Sequence, residues 1–143
     1  MASGNVTVPI FTTMDADSVG YAADFAGVDL LFLGNAANWA SVRDSFPAGM
    51  PVVCLPGAPE HEGAVTWDQI VSAGRELPAA PSADENALAT IVFTSGTTGR
   101  PKGAVLTHAS FLAGLESAAL ARPVQPGDRY LYPFPLFHVA AHN

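Results

Sequence analysis

Apolar residues in this chain come in short runs, and the runs alternate with segments that carry helix-start signals. Residues 6–11, VTVPIF, read as a strand. Asp15, Asp17 and Ser18 then offer an N-cap and first-turn acids for a helix reaching about Gly27. Val28 to Leu33 is a second strand closed by Gly34, residues 35–46 a second helix, and Pro51 to Leu55 a third strand. Strands apolar on both faces, alternating with helices, predict an α/β fold with a partly parallel sheet flanked by helices.

Pro56 to Gly63 is a loop rich in Pro, Gly and acids, after which Thr66 caps a short helix carrying Trp67, Ile70 and Val71. Residues 74–85 shift to the composition of a surface linker. Thr90 to Phe93 is a short buried strand that empties into a loop of Gly, Ser and Thr, and Ala104 to Leu106 returns from it. Thr107 caps a helix from about His108 to Ala121, with Leu112, Leu115 and Ala119 on one face. Residues 123–127 turn, and RYLYPFP at 129–135 is a further strand leading into LFHVAAHN.

Composition narrows the function classes. At 143 residues the chain has room for one domain with a modest core. Charged residues make up 13%, against about a quarter in ordinary soluble domains, which implies that part of the surface is covered by more chain or by a partner. A net charge of −7 with six Lys and Arg excludes nucleic acid as a partner. No apolar run approaches the roughly 18 residues of a membrane span, and MASGNVTV lacks the regions of a signal peptide, so a cytoplasmic location is expected. The single cysteine, Cys54, reads as a buried core thiol and cannot form an internal disulfide.

The candidate chemistry lies at residues 94–103, TSGTTGRPKG. Gly96, Gly99 and Gly103 let backbone N–H groups approach a ligand closely. Thr94, Ser95, Thr97 and Thr98 add hydroxyls, and Lys102, the one lysine of the chain, adds a compact positive charge suited to phosphate oxygens. The order Gly-Arg-Pro-Lys-Gly is not that of a Walker A loop, which needs a Gly immediately before the Lys; here Pro101 stands there, fixing its own φ and holding Arg100 extended. A Gly/Thr-rich hairpin turn without a ligand has the same composition and remains open on these residues alone.

The string TSGTTGRPKG resembles the phosphate-binding signature of the adenylate-forming superfamily, which includes acyl-CoA synthetases and long-chain fatty acid–CoA ligases. Residues 4–34 resemble a segment upstream of that signature, and YPFPLFHVAAHN the segment downstream, at the mouth of the acyl pocket. The resemblance implies that residues 1–143 are part of the family's large N-terminal AMP-binding domain. The acid-rich segment, the ribose-binding aspartate, the hinge and the small C-terminal domain find no counterpart, and a fragment of a longer enzyme is expected. By the resemblance, Thr94, Ser95, Gly96, Thr97, Thr98, Gly99 and Lys102 surround the ATP phosphates. Thr94 also reaches Mg2+, and Lys102 and His138 act in catalysis, His138 beside the substrate carboxylate. ATP, Mg2+ and coenzyme A are the implied cofactors and co-substrates, and a carboxylic acid, fatty by first expectation, the implied partner molecule.

Other readings stand beside these. Without the resemblance, His138 reads as a histidine packed at a strand end, and His108 as one that begins a helix. His142 lies four residues from His138, a metal pair if helical, but two ligands without nearby acids make a weak site. His61, between Glu60 and Glu62, reads as a solvated patch. Tyr132, Phe134 and Phe137 read as core or pocket wall. As a whole, the chain is expected to be inactive alone in the overall ligase reaction. The alternatives are a non-catalytic nucleotide- or partner-binding module, half of a split assembly, or a remnant with no stable fold.

Overall fold

The structure, a computed structural model, describes residues 4–74, 84–94, 99–121 and 125–129. Residues 130–135 of the expected strand, the residues that follow and most of the linker at 74–85 lie outside the described residues. The chain divides into two compact units.

One unit holds a parallel sheet and its helices. Helix α1, Ala16–Phe25, starts where Asp15, in extended backbone, accepts a hydrogen bond from the Ser18 amide at 2.8 Å. That bond satisfies one of the orphan donors of the first turn. Val19, Ala22 and Ala23 form its buried stripe. Gly20 lies where α1 meets a neighbouring turn so closely that an added Cβ would stand 3.1 Å from the Ser45 carbonyl oxygen. Strands β1, Leu31–Leu33, and β2, Val52–Cys54, pair in parallel, with Leu31 opposite Val52 and Leu33 opposite Cys54. Leu33, Val52 and Val53 are buried, as are Trp39 and Val42.

Two expectations need correction here. The second strand begins at Leu31 rather than Val28. Residues 35–46 do not form one helix: α2 is Trp39–Val42, and a 3-10 turn, Arg43–Ser45, replaces its continuation. The Asn38 side chain makes no cap to α2 and instead donates to the Met14 carbonyl at 3.1 Å, so that helix begins uncapped. A strand the sequence did not announce, β3, Val65–Thr66, adds in parallel to β2. It runs straight into α3, Trp67–Ser72, which Thr66 caps as expected. The Thr66 hydroxyl accepts from the Gln69 amide at 3.2 Å while Gln69 Oε1 accepts from the Thr66 amide at 2.8 Å, a complete capping box.

The other unit is built on an antiparallel hairpin of β4, Leu88–Thr94, and β5, Lys102–Thr107. Ala89, Thr90, Val92 and Phe93 are all buried, so β4 is covered on both faces. Residues 6–11 do not form a strand. Thr7 makes a single parallel bridge to Thr90, and Pro9, without an N–H, cannot extend a ladder. Helix α4, His108–Ala121, follows β5 directly, the Thr107 hydroxyl accepting from the Ser110 amide at 3.3 Å. Its expected inward face is open: no residue of α4 is buried, and Leu112, Leu115 and Leu120 are 48%, 48% and 87% exposed.

Candidate functional site

The loop at 94–103 joins the two strands of the hairpin, so its ends are set by strand register. Phe93 faces Gly103 and Thr94 faces Lys102 on the last rung. Phe93 is 1% exposed and anchors that rung in the core, a burial that stabilises by about 1.5–3 kcal/mol. Gly103 is there for space, because a Cβ would stand 2.9 Å from Ile91 Cγ2. One residue further out, the chain turns from buried to solvated. Thr94 and Lys102 are both exposed, and the Thr94 hydroxyl donates to the Lys102 carbonyl at 3.3 Å. A strand buried on both faces and its more exposed partner thus deliver a hydroxyl and the chain's one lysine, side by side, to an open end.

Gly99, at φ 154°, takes a conformation that side chains disfavour and has open space around it. Ser95, Gly96, Thr97 and Thr98 lie outside the described residues, as do Tyr132, Phe134, Phe137, His138 and His142. The structure therefore brings together Thr94 and Lys102 of the expected site. Arg100 is exposed, and its guanidinium carbon lies 5.2 Å from the centroid of the Tyr21 ring. That contact joins positions far apart in the chain, and no local pattern announces it.

Among the described residues no group of three or more His, Cys, Asp and Glu is placed to hold a metal ion. Thr94 offers one neutral oxygen, and Mg2+ takes most of its near-octahedral shell from water and substrate phosphates. The hydroxyl fits as one contributor to such a shell and not as a site by itself.

The sheet unit contains a separate cleft of about 690 Å3, lined by Cys54, Pro59, His61, Thr66 and Trp67 among others. Two readings change there. Cys54 is half-buried rather than fully buried, its thiol facing the Pro59 carbonyl at 3.8 Å. His61 is not a solvated patch but packs edge-on against Trp39, ring centroids 5.4 Å apart. The Thr66 hydroxyl on this wall is already engaged in capping α3.

Among the described residues no helix is long and apolar enough to cross a membrane. Known proteins resemble the chain over nearly its whole length. It is 32% identical to the peroxisomal long chain acyl-CoA synthetase 7 of Arabidopsis thaliana, over 94% of this chain and 21% of that protein. It is 34% identical to the long-chain-fatty-acid–CoA ligase FadD15 of Mycobacterium bovis, over 99% of this chain and 25% of that protein. The chain thus spans about a quarter or less of the length of these curated relatives. Among solved structures, the inhibitor-bound N-terminal domain of FACL13 from Mycobacterium tuberculosis superposes with a TM-score of 0.69 at 31% identity, covering 96% of this chain and 34% of that one. The o-succinylbenzoate CoA synthetase of Bacillus subtilis shares the fold, at TM-score 0.66 and 20% identity, over 96% of this chain and 33% of that one. A model of the AMP-binding enzymes matches from residue 1 to residue 143, and the chain belongs to that family.

Proposed function

We propose that this chain contributes the phosphate-gripping loop and part of the N-terminal domain of an AMP-forming acyl-CoA synthetase. The substrates are ATP, a carboxylic acid, by preference a fatty acid, and coenzyme A. In this reaction the acid's carboxylate attacks the α-phosphorus of ATP, the bond to the β-phosphate oxygen breaks, and pyrophosphate leaves. The thiol of coenzyme A then displaces AMP from the acyl-adenylate. Mg2+, when bound, neutralises phosphate charge, with Thr94 offering one oxygen to its shell. The residues proposed to hold the β- and γ-phosphates are Thr94, Ser95, Gly96, Thr97, Thr98, Gly99 and Lys102. Their donors and single ammonium stabilise charge that grows on the leaving group, the moment at which electrostatic binding accelerates the step. His138 is proposed to donate a hydrogen bond to the acid's carboxylate.

The observation that carries this reading is the last rung of the hairpin, where Lys102 stands exposed beside the Thr94 hydroxyl. A charge-assisted hydrogen bond is worth roughly 1.5–3 kcal/mol, so Lys102→Ala is expected to weaken MgATP binding about 10- to 100-fold. Calorimetric titration of the 143-residue chain with MgATP measures this, and equal affinity for the variant and the parent would remove Lys102 from the site. The same chain is expected to give no acid-dependent exchange of pyrophosphate into ATP, since the residues proposed here grip the phosphates and the acid's carboxylate and leave the nucleoside unheld. Robust exchange would overturn that expectation.

A second reading, a partner-binding module without catalysis, is favoured by α4, whose leucines are open to solvent. Nucleotide titration separates the two, because a module of that kind has no need of Lys102 for ATP.

A further inference from the structure

We infer that Tyr21 is a positioning residue: its ring holds the Arg100 guanidinium and so fixes the end of the TSGTTGRPKG loop next to Lys102. At 5.2 Å from the ring centroid, the guanidinium carbon lies within the distance, about 6 Å, at which a cation is attracted to an aromatic face. The ring is itself held. Tyr21 and Phe25, one turn apart on α1, stack with centroids 5.5 Å apart and planes 30° apart. The half-buried Tyr21 therefore presents a set surface rather than a rotating one.

Charge on the helix favours the same partner. Asp17 lies four residues before Tyr21 and Asp24 three after it, at helical spacings that share its side of α1, and the helix carries no Lys or Arg. A guanidinium approaching Tyr21 enters a negative field. Among the described residues Arg100 makes no ion pair, the one salt bridge being Arg43 to Asp44, so the ring is the partner that locates it.

Backbone chemistry turns a side-chain contact into a hold on the loop. Pro101 has a fixed φ and confines Arg100 to extended conformations. With so little freedom in its backbone, an arginine whose side chain is seated also seats its peptide. Of the loop's two cations, Arg100 is committed to the ring and Lys102 remains for an anion. This last consequence rests on the proposed function, whereas the contact itself does not.

Lys102 is the chain's one lysine, so a lysine-specific endoprotease cuts folded protein at one place, directly beside the held segment. Cleavage of a transiently opened segment follows the population of the open form. Tyr21→Leu and Arg100→Gln are each expected to raise the cleavage rate of the 143-residue chain about two- to five-fold, the range that an exposed cation–π contact supports. Tyr21→Phe, which keeps the aromatic face, should cut at the parental rate. The double variant Tyr21→Leu/Arg100→Gln should cut no faster than either single one. Equal rates for the parent and Tyr21→Leu would overturn the proposal. So would a Tyr21→Leu effect that persists in full in the Arg100→Gln background, since that marks a loosened α1 rather than a lost contact. No nucleotide enters the assay, so its failure is separate from a failure of Lys102→Ala to change ATP binding.

Discussion

Gly103→Ala tests the packing that delivers Lys102 to the open end of the hairpin. The glycine is in an ordinary strand conformation, outside the set of positive-φ glycines, so alanine costs nothing in backbone strain and the whole effect is steric. A Cβ at this position would lie 2.9 Å from Ile91 Cγ2 and 3.5 Å from Phe93 Cε1 and Cζ. Carbon atoms rest at about 3.5–4.0 Å, so Ile91 must withdraw by roughly half an ångström or more. The move is resisted, because a β-branched side chain is stiff at χ1 and Phe93, beside it, is buried. Overpacking of this kind costs about 1–3 kcal/mol. Ile91 is half-buried and can lean toward solvent, which places the expectation in the lower half, about 1–2 kcal/mol. For a chain of this size that is a fall in Tm of roughly 3–8 °C, read by thermal unfolding of the parent and the variant. Ile91→Ala supplies the control. It removes the Cγ2 that the new methyl would strike, so the double variant should lose less than the sum of the single losses by about 1 kcal/mol. A melt within about 1 °C of the parent, or strictly additive losses, would refute the steric account.

The other predictions concern helix starts. Thr66→Ala removes one half of the capping box of α3 and should destabilise that helix by about 1 kcal/mol, seen as faster hydrogen exchange at the Gln69 amide; unchanged exchange would show that the box contributes nothing. Hydrogen bonding from the Ser18 amide, then from the Ser18 hydroxyl, holds the Asp15 carboxyl below its ordinary value. A folded-state pKa that is depressed gives stability present above the unfolded value and lost as pH falls through the folded one. Asp15→Asn keeps a cap acceptor that does not titrate, so its stability should fall less than the parent's between about pH 5 and about pH 2; parallel urea-melt profiles would contradict the assignment.

What the sequence revealed depended on how local the cause was. Asp15 and Thr66 were legible as caps because a cap and its amide lie three residues apart. The hairpin was legible from β-branched residues on either side of a glycine-rich loop, and its register then places Thr94 opposite Lys102. Residues 35–46 misled because the helix shortens to Trp39–Val42 and passes into the 3-10 turn Arg43–Ser45, and the Asn38 side chain, which makes no cap, donates to the Met14 carbonyl 24 residues away. At 6–11 the β-branched pattern suggested a strand, but Pro9 limits pairing to the one bridge at Thr7. β3 was invisible for the opposite reason, since two residues are too few to show an alternation. The contact between Arg100 and Tyr21 belongs to tertiary structure alone.

The bridge at Thr7 also bears on the order of folding. β4 has β5 on one flank. On the other, Thr7 donates its amide to Ala89 O and its carbonyl accepts from the Ile91 amide and the Thr90 hydroxyl, 83 positions along the chain in the last case. A hairpin closes a short loop and forms early, whereas this docking must close a long one and comes later. In the interval the second flank of β4 presents unpaired N–H and C=O groups that another molecule can use as readily as Thr7 can. Dilution, which slows only the intermolecular pairing, is therefore expected to raise refolding yield.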